Sequence, residues 1–482
     1  MKKHISAALA ALLLLISCGC QKTPEKSVVT SKNDGAFEAA LDAAPQAAPA
    51  AGAESAVYAD SFENANGGIR YELSLTAPEL PPALPVVRAR PMEITPELAQ
   101  KTAQAVFGDA QIYEYTTEHT KAELEAAILE MKESISDWDA LVEDCGGDEA
   151  VAESYKAMRE ESIAAMEEAY AAAPDAVDRS PCDWQFHPST YYEDVTHLGH
   201  ISDIGYQVCK AGATLDGVPF VFEASNLEKD DFREHSITIG ADSELTDTDA
   251  LWADTGQRPD LSAVQERAVQ IAGAMGLGVW RVAECESDLN AASVTYLTLT
   301  REYEGLPMTF HDDPSEAETA YGPSYTYEKL RMDFNGDKLL SLLYQGALAE
   351  TGVVNENVQI LPFADILAAA KTQMQLRGTL NPVTGETIPA SEDGSYSDIA
   401  VDRVELGLSR IFIKDNTAEY YLVPTYTFYG TSTACSADGS PIDYSFFDEA
   451  SGRTVAFPNP TTVELAVINA VDGSVIDTGL GY

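Results

Sequence analysis

The sequence predicts an α+β protein: two lobes of antiparallel sheet, each packed on helices, with an antiparallel helical hairpin inserted in the first. Three observations predict it. Hydrophobic residues make up 45% of the 482, enough for a sizeable core and too many for wholesale disorder. Short runs of alternating apolar and polar residues recur between Asx-Gly turns, which is the period of half-buried strands. Between them lie a few segments with apolar residues at three- and four-residue steps, the period of helices.

The chain opens on Lys2 and Lys3, followed by an uncharged apolar run from Ile5 to Ile16 that closes at Leu15-Ile16-Ser17-Cys18. This is the layout of a secretory signal peptide over residues 1–17. The small residue before a cysteine resembles the lipobox of bacterial lipoproteins. The implied product is cut before Cys18 and carries lipid on that cysteine, on the outer face of the cytoplasmic membrane. Cleavage before Cys20 is the alternative, although Leu15 suits Cys18 better than Ser17 suits Cys20. A diacylated cysteine supplies the pair of chains that stable anchoring needs, and no later apolar run reaches the about 18 residues of a membrane span. Residues 18–60 read as a lipidated, largely disordered tether, mostly Ala, Pro and acidic residues from 38 to 56. About thirty such residues reach roughly 30 Å.

The N-terminal lobe is expected over 61–260, starting from the alternating strand Ile69–Leu75. Thr95-Pro96-Glu97 opens a helix, with a hydroxyl to cap, Pro in the first turn and an acid at the positive dipole end. Phe107-Gly108 closes it, and Ala110–Tyr115 reads as a strand. Thr120-Lys121-Ala122-Glu123 has capping-box spacing. Leu124, Ile128, Met131, Ile135, Trp138 and Val142 then follow a heptad seam. Gly146-Gly147 breaks it, and a second helix carries Val151, Tyr155, Met158, Ile163, Met166 and Tyr170 to Ala173-Pro174. These form the helical hairpin, 120–173, expected to pack on the body.

Beyond Trp184 come strands, with Asp216-Gly217 as a hairpin turn. The C-terminal lobe is expected over 261–482: a helix near Ser262–Met275, a hairpin at Asn335-Gly336, a helix near Phe363–Leu376, then strands to the end. Leu215-Asp216-Gly217-Val218-Pro219-Phe220-Val221-Phe222 matches Tyr303-Glu304-Gly305-Leu306-Pro307-Met308-Thr309-Phe310 in character at every position. This echo suggests two related helix-plus-sheet lobes, unless simple turn chemistry produced it twice.

With 30 basic against 78 acidic residues, a net charge of −48, the protein should repel nucleic acid. The charge serves solubility outside the cell, or fits a basic partner or calcium. The five cysteines after Cys20 (Cys145, Cys182, Cys209, Cys285, Cys435) are scattered, so this is not a disulfide scaffold. A Cys182–Cys209 bridge is compatible with export, and core thiols are the simpler state.

No assembled catalytic signature is legible. Asp194, His197, His200 and Asp203 lie close together, but Gly199 and the lack of helical pattern argue against convergence on a metal, and no HExxH occurs. Trp184, Phe186, Tyr191 and Tyr192 could line a ligand groove, or cap a core beside the hairpin. His311-Asp312-Asp313 could offer a general base, or simply begin an acidic loop. GxSxG, Walker A and Rossmann patterns are missing, and no cofactor is implied.

Cys20-Gln21-Lys22-Thr23-Pro24-Glu25-Lys26 with Lys32-Asn33-Asp34-Gly35, Tyr421–Gly430 and the ending from Ile468 to Tyr482 together resemble a family of uncharacterised Gram-positive, clostridial-type lipoproteins. That likeness carries no assigned activity and puts weight on Cys20 as the lipidated residue, so both cysteines stay open. Val471-Asp472-Gly473 and the helix-then-strands rhythm also look distantly like PepSY-type modules and the extracytoplasmic regulators of membrane histidine kinases, an analogy of fold only. The expectation is a non-enzymatic, membrane-anchored binding or regulatory protein with an envelope or membrane partner. The competing class is an extracytoplasmic ligand binder or a hydrolase of envelope or glycan material.

Overall fold

The computed structural model describes residues 36–46, 56–145, 147, 149–189, 205–229, 232–288, 291–309, 327–379, 387–414, 416–442, 445–448, 453–456 and 459–478. Its class is α+β, with helices packed on sheets of mostly antiparallel strands. A short helix α1 (Ala36–Leu41) precedes strands β1 (Val57–Glu63), β2 (Ile69–Thr76) and β3 (Val86–Pro91), then helix α2 (Pro96–Phe107) and β4 (Tyr113–Glu114). Helices α3 (Lys121–Ser134), α4 (Trp138–Asp144) and α5 (Glu149–Ala172) follow, and then β5 (His187–Pro188). A meander of β6 (Gly205–Leu215), β7 (Val218–Lys229) and β8 (Phe232–Ala241) leads to helices α6 (Thr248–Trp252) and α7 (Leu261–Ala274). After these come β9 (Trp280–Ser287), β10 (Val294–Tyr303), β11 (Leu306–Pro307), β12 (Lys329–Asn335), β13 (Lys338–Gln345) and β14 (Leu348–Asn355). Helix α8 (Phe363–Leu376), the long pair β15 (Tyr396–Ile413) and β16 (Asn416–Cys435), a small hairpin β17 (Ser445–Asp448) and β18 (Arg453–Ala456), and β19 (Thr461–Asn469) complete the chain.

The larger sheet is built twice from one plan. Helix α2 is followed by an edge strand and by β6, β7 and β8; helix α7 is followed by the edge strand β9 and by β10, β12 and β13. The two halves meet where β8 pairs with β13, Ile239 opposite Leu342. Alternation sets the inward face: Cys209, Ala211 and Ala213, Phe220 and Phe222, Ile237 and Ile239 all point into one core. Ala99, Ala103, Ala268 and Ala272 on α2 and α7 are fully buried, and their small side chains let both helices lie close on that face. The Thr95 hydroxyl accepts the Leu98 N–H (3.2 Å), and the Asp260 carboxylate accepts that of Ser262 (3.0 Å), so each helix starts on a side-chain cap.

The echo in the sequence falls on equivalent turns. Asp216 and Gly217 have φ of 53° and 85°, and Glu304 and Gly305 have 49° and 83°. Two consecutive left-handed residues give the twist of a two-residue hairpin, and glycine in the second position accepts it without strain.

The second sheet runs β1-β2-β15-β16-β3-β14, with β19 also on β16. Among the described residues its one parallel strand pairing sets Ile69–Leu73 of β2 beside Ser397–Val401 of β15. Ile366, Ala370 and Met374 of α8 cover it against Tyr71, Leu73, Tyr426, Phe428 and Ile468. Both expected helix-packed sheets are therefore present, but the chain divides between them differently. Residues 57–91 pair with 348–469, while 205–241 pair with 280–345, so a boundary at 260/261 falls inside one sheet. Periodicity tells which face of a strand is buried; it does not name the neighbour.

Part of the span expected as a tether, 18–60, is folded onto the body. Phe37, Ala40 and Leu41 sit at helical spacing and pack with Val86, Val423 and Ile476. The Asn355 amide donates to the Leu41 and Ala43 carbonyls (3.2 and 3.0 Å), fixing the turn that follows.

Between the sheets, Leu84, Val87, Tyr303, Leu306, Met308, Leu408 and Leu422 form a shared apolar layer. A buried ion pair lies beside it. Arg301 meets Glu328 at 2.8 Å. Glu328 also accepts from Tyr303 (2.6 Å), Tyr344 (2.9 Å) and the Leu348 N–H (3.2 Å). Arg301 donates to the carbonyls of Leu277 and Leu348 and to Tyr303. Leu348 opens the second sheet, so the network bolts the two sheets together.

Candidate functional site: the inserted hairpin and its seat

The helical hairpin interrupts a strand rather than joining two of them. Tyr113 and Glu114 of β4 pair with Gly212 and Ala211 on the outer edge of β6. His187 and Pro188 of β5 resume on the same edge opposite Val208 and Gln207. In the second half of the sheet, β9 runs unbroken along the corresponding edge of β10. The 72 residues between Glu114 and His187 are thus an insertion into one edge strand. The Tyr113 ring lies across Gly212, so that a side chain at that position would collide with it.

The base of the insertion is closed. The Lys121 N–H donates to the Pro174 carbonyl (3.0 Å), bringing entry and exit together. The expected capping box forms in full: the Thr120 hydroxyl accepts the Glu123 N–H (3.2 Å), and the Glu123 carboxylate accepts the Thr120 N–H (2.9 Å). Its other oxygen takes Arg179 of the exit leg at 2.6 Å, and that guanidinium lies 4.4 Å over the Tyr113 ring. Partial burial disfavours the Glu123 carboxylate, but the hydrogen bonds from Thr120 and Arg179 outweigh it and hold its pKa below the ordinary glutamate value.

A depressed carboxyl pKa stabilises the folded state above the unfolded pKa, and the contribution is lost as pH falls through the folded one. We therefore expect amide protection of the first turn of α3 to be greater in the native protein than in Glu123→Gln at neutral pH. The gap should close as the solution is acidified below the usual glutamate range. Hydrogen exchange followed by mass spectrometry at several pH values reads this; a gap that persists in acid would show that Glu123 acts through shape alone.

One loop after β8 forms the seat. Leu245 packs on Leu124 and Ala127 of α3. Glu244 meets His119 at 3.0 Å ahead of the hairpin. Asp247, 1% exposed, takes the Arg159 guanidinium of α5 at 2.6 Å, and Tyr155 accepts from the same group at 2.9 and 2.7 Å. Away from the seat the hairpin has a core of its own, Ile128, Met131, Ile135, Leu141, Cys145, Ala152 and Ile163. The seam is bent relative to expectation. The first arm stops at Ser134 and restarts at Trp138, which turns Leu141 inward and leaves Val142 half-buried.

The outer surface of the hairpin is acidic and carries isolated apolar side chains. Between Thr120 and Ala173 there are fifteen acidic and four basic residues. Arg159 is buried with Asp247, and Lys132 is paired with Glu167 at 2.6 Å. Leu129 and Met158 stand out with 60% and 53% of their surface exposed.

The residues singled out in the sequence are placed as follows. Trp184, 9% exposed, adopts a left-handed backbone (φ 60°) and sets its ring edge-on to Phe222 with centroids 5.6 Å apart. Phe186 packs half-buried on the same core. Both support the sheet where the inserted segment rejoins it. Tyr191, Tyr192, the Asp194–Asp203 cluster, His311-Asp312-Asp313, Cys18 and Cys20 lie outside the described residues. Among the described residues no group of His, Cys, Asp and Glu is arranged to hold a metal ion, and no helix is long and apolar enough to cross a membrane. An open cleft lies elsewhere, over the β2–β15 pairing, lined by Glu63, Arg70, Glu72 and Asp398. In it Arg70 stacks 3.7 Å over the Tyr396 ring and meets Glu63 at 3.6 Å. The seat residues His119, Glu244, Leu245 and Asp247 escaped sequence reading, because an acidic loop with one leucine carries no periodic signal.

No known protein family matches the chain, and no curated protein does either. Among solved structures it is similar to an uncharacterised protein from Eubacterium rectale ATCC 33656, with 10% identity over 92% of this chain and 98% of that one and a TM-score of 0.37.

Proposed function

We propose that the protein is a lipid-anchored, extracytoplasmic binding or regulatory accessory protein that presents the inserted hairpin to an envelope or membrane partner. The observation that carries the reading is the interruption of an edge strand. The sheet resumes its pairing on the far side of the hairpin, so the insertion is not needed to complete the fold, yet it is capped, seated and given its own core. An element held so firmly outside the main core is suited to meet another molecule. Its charge favours a partner with a basic face, and the exposed Leu129 and Met158 offer apolar surface that such a partner would bury. The signal-like start supports export, and the short tether supports a position near the membrane.

The test is excision. Removing residues 120–173 and joining His119 to Pro174 through a short glycine link should leave both sheets folded, as judged by circular dichroism and a cooperative melt. Capture of the partner by tagged protein in cells should be lost. Full capture by the excised protein would refute the role of the hairpin.

A further inference from the structure

We propose that Cys182 and Cys209 form a disulfide bond that fastens the returning leg of the hairpin insertion to strand β6. The inference does not rest on the binding role proposed above. Cys209 is buried in the main core beside Ala211 and Ala213, and Cys182 packs half-buried on the same core from the outer side. The backbone brings them together. Pro181 bridges to Tyr113, and the Cys182 N–H donates to the Ile112 carbonyl at 3.4 Å. Five residues later the chain has crossed to β6, where His187 pairs with Val208, the neighbour of Cys209. That crossing starts at Cys182 and ends beside Cys209, both side chains lie on one core, and both are free thiols within reach of each other's hydrogen bond. Cys145 lies in the hairpin core, Cys285 on β9 and Cys435 at the end of β16.

The contact also divides the chemistry. A hydrogen bond from the Cys209 thiol lowers the pKa of Cys182, while the same contact, with burial, raises that of Cys209. Cys182 is half-buried and Cys209 buried, so access makes Cys182 the entering thiol and Cys209 the resolving one. The oxidant is a small or protein disulfide, such as oxidised glutathione. Cys182 Sγ attacks one of its sulfurs, its S–S bond breaks, and the first thiol leaves with the Cys182 proton. Cys209 then gives up its proton and attacks Cys182 Sγ, expelling the second thiol. Two protein thiols lose two electrons and two protons, and the oxidant gains them as two thiols. The bond would tie the rejoining strand to β6 covalently beside Trp184, where the edge strand has been cut by the insertion.

The experiment uses the full chain equilibrated in an oxidised and reduced glutathione mixture. Free thiols are blocked with iodoacetamide in denaturant; the sample is then reduced and labelled with N-ethylmaleimide before peptide mapping. Cys182 and Cys209 should carry the second label, Cys145, Cys285 and Cys435 the first, and an unreduced digest should contain one linked peptide lighter by two hydrogens. Cys182→Ser should abolish the linked peptide and return Cys209 to the iodoacetamide-labelled set. Iodoacetamide on all five cysteines under the oxidising mixture, or separate glutathione adducts with no linked peptide, would overturn the proposal.

Discussion

Replacing Glu328 with alanine is expected to cost about 3–5 kcal/mol of folding stability, a large share of the roughly 5–15 kcal/mol a domain has. The carboxylate is fully enclosed and meets five donor atoms from four residues: Nε and Nη2 of Arg301, the Tyr303 and Tyr344 hydroxyls and the Leu348 N–H. Alanine removes the counter-charge but leaves the guanidinium in the same low-dielectric layer, and that uncompensated charge, more than the lost attraction, sets the penalty. Urea unfolding should show the loss as a lower midpoint. A double change, Arg301→Met with Glu328→Leu, takes both charges away and should recover most of it. A Glu328→Ala midpoint equal to the native one would mean that the two sheets are held by their shared apolar layer alone.

The second large effect is local. Asp247→Ala takes the buried carboxylate from Arg159 and should weaken the hairpin seat by about 3–5 kcal/mol while the sheets keep their stability. Arg159 retains its contact with Tyr155, which lies on the same helix and cannot hold the hairpin to the body. Hydrogen exchange should accelerate across α3 and α5 and stay slow in β7, β8 and β13. Uniform acceleration through the sheet would show that seat and sheet unfold as one unit.

The local structure was legible because local chemistry determines it. Thr95-Pro96 and the Thr120–Glu123 box start their helices where the side chains can satisfy the free N–H groups. Asp216-Gly217 and Glu304-Gly305 form hairpin turns because the backbone there must be left-handed twice. The hairpin was visible for the same reason. The pairing of strands was not. Val57–Pro91 returns to a sheet made otherwise of residues beyond 347, through contacts such as the Tyr71 hydroxyl donating to the Met374 carbonyl at 3.0 Å, and no pattern within either segment announces the other. The repeat was legible only in its turn. Its edge strand is continuous in one half and cut by the hairpin in the other, which hides the correspondence. Trp184 is open to two readings in the sequence, a groove or a core cap, and its ring lies edge-on to Phe222 over the core. The candidate site was half legible: its helices follow from spacing, whereas its seat depends on where a six-residue acidic loop lands.

The most direct test of the hairpin as the binding element is in-cell crosslinking of the tagged full-length protein, with mass spectrometry of what is captured, run beside the 120–173 excision and Asp247→Ala. The account predicts one recurrent membrane or envelope partner with a basic surface, reduced by Asp247→Ala and absent with the excision. Equal recovery of that partner from all three, or no partner where a control lipoprotein pair is captured, would contradict it.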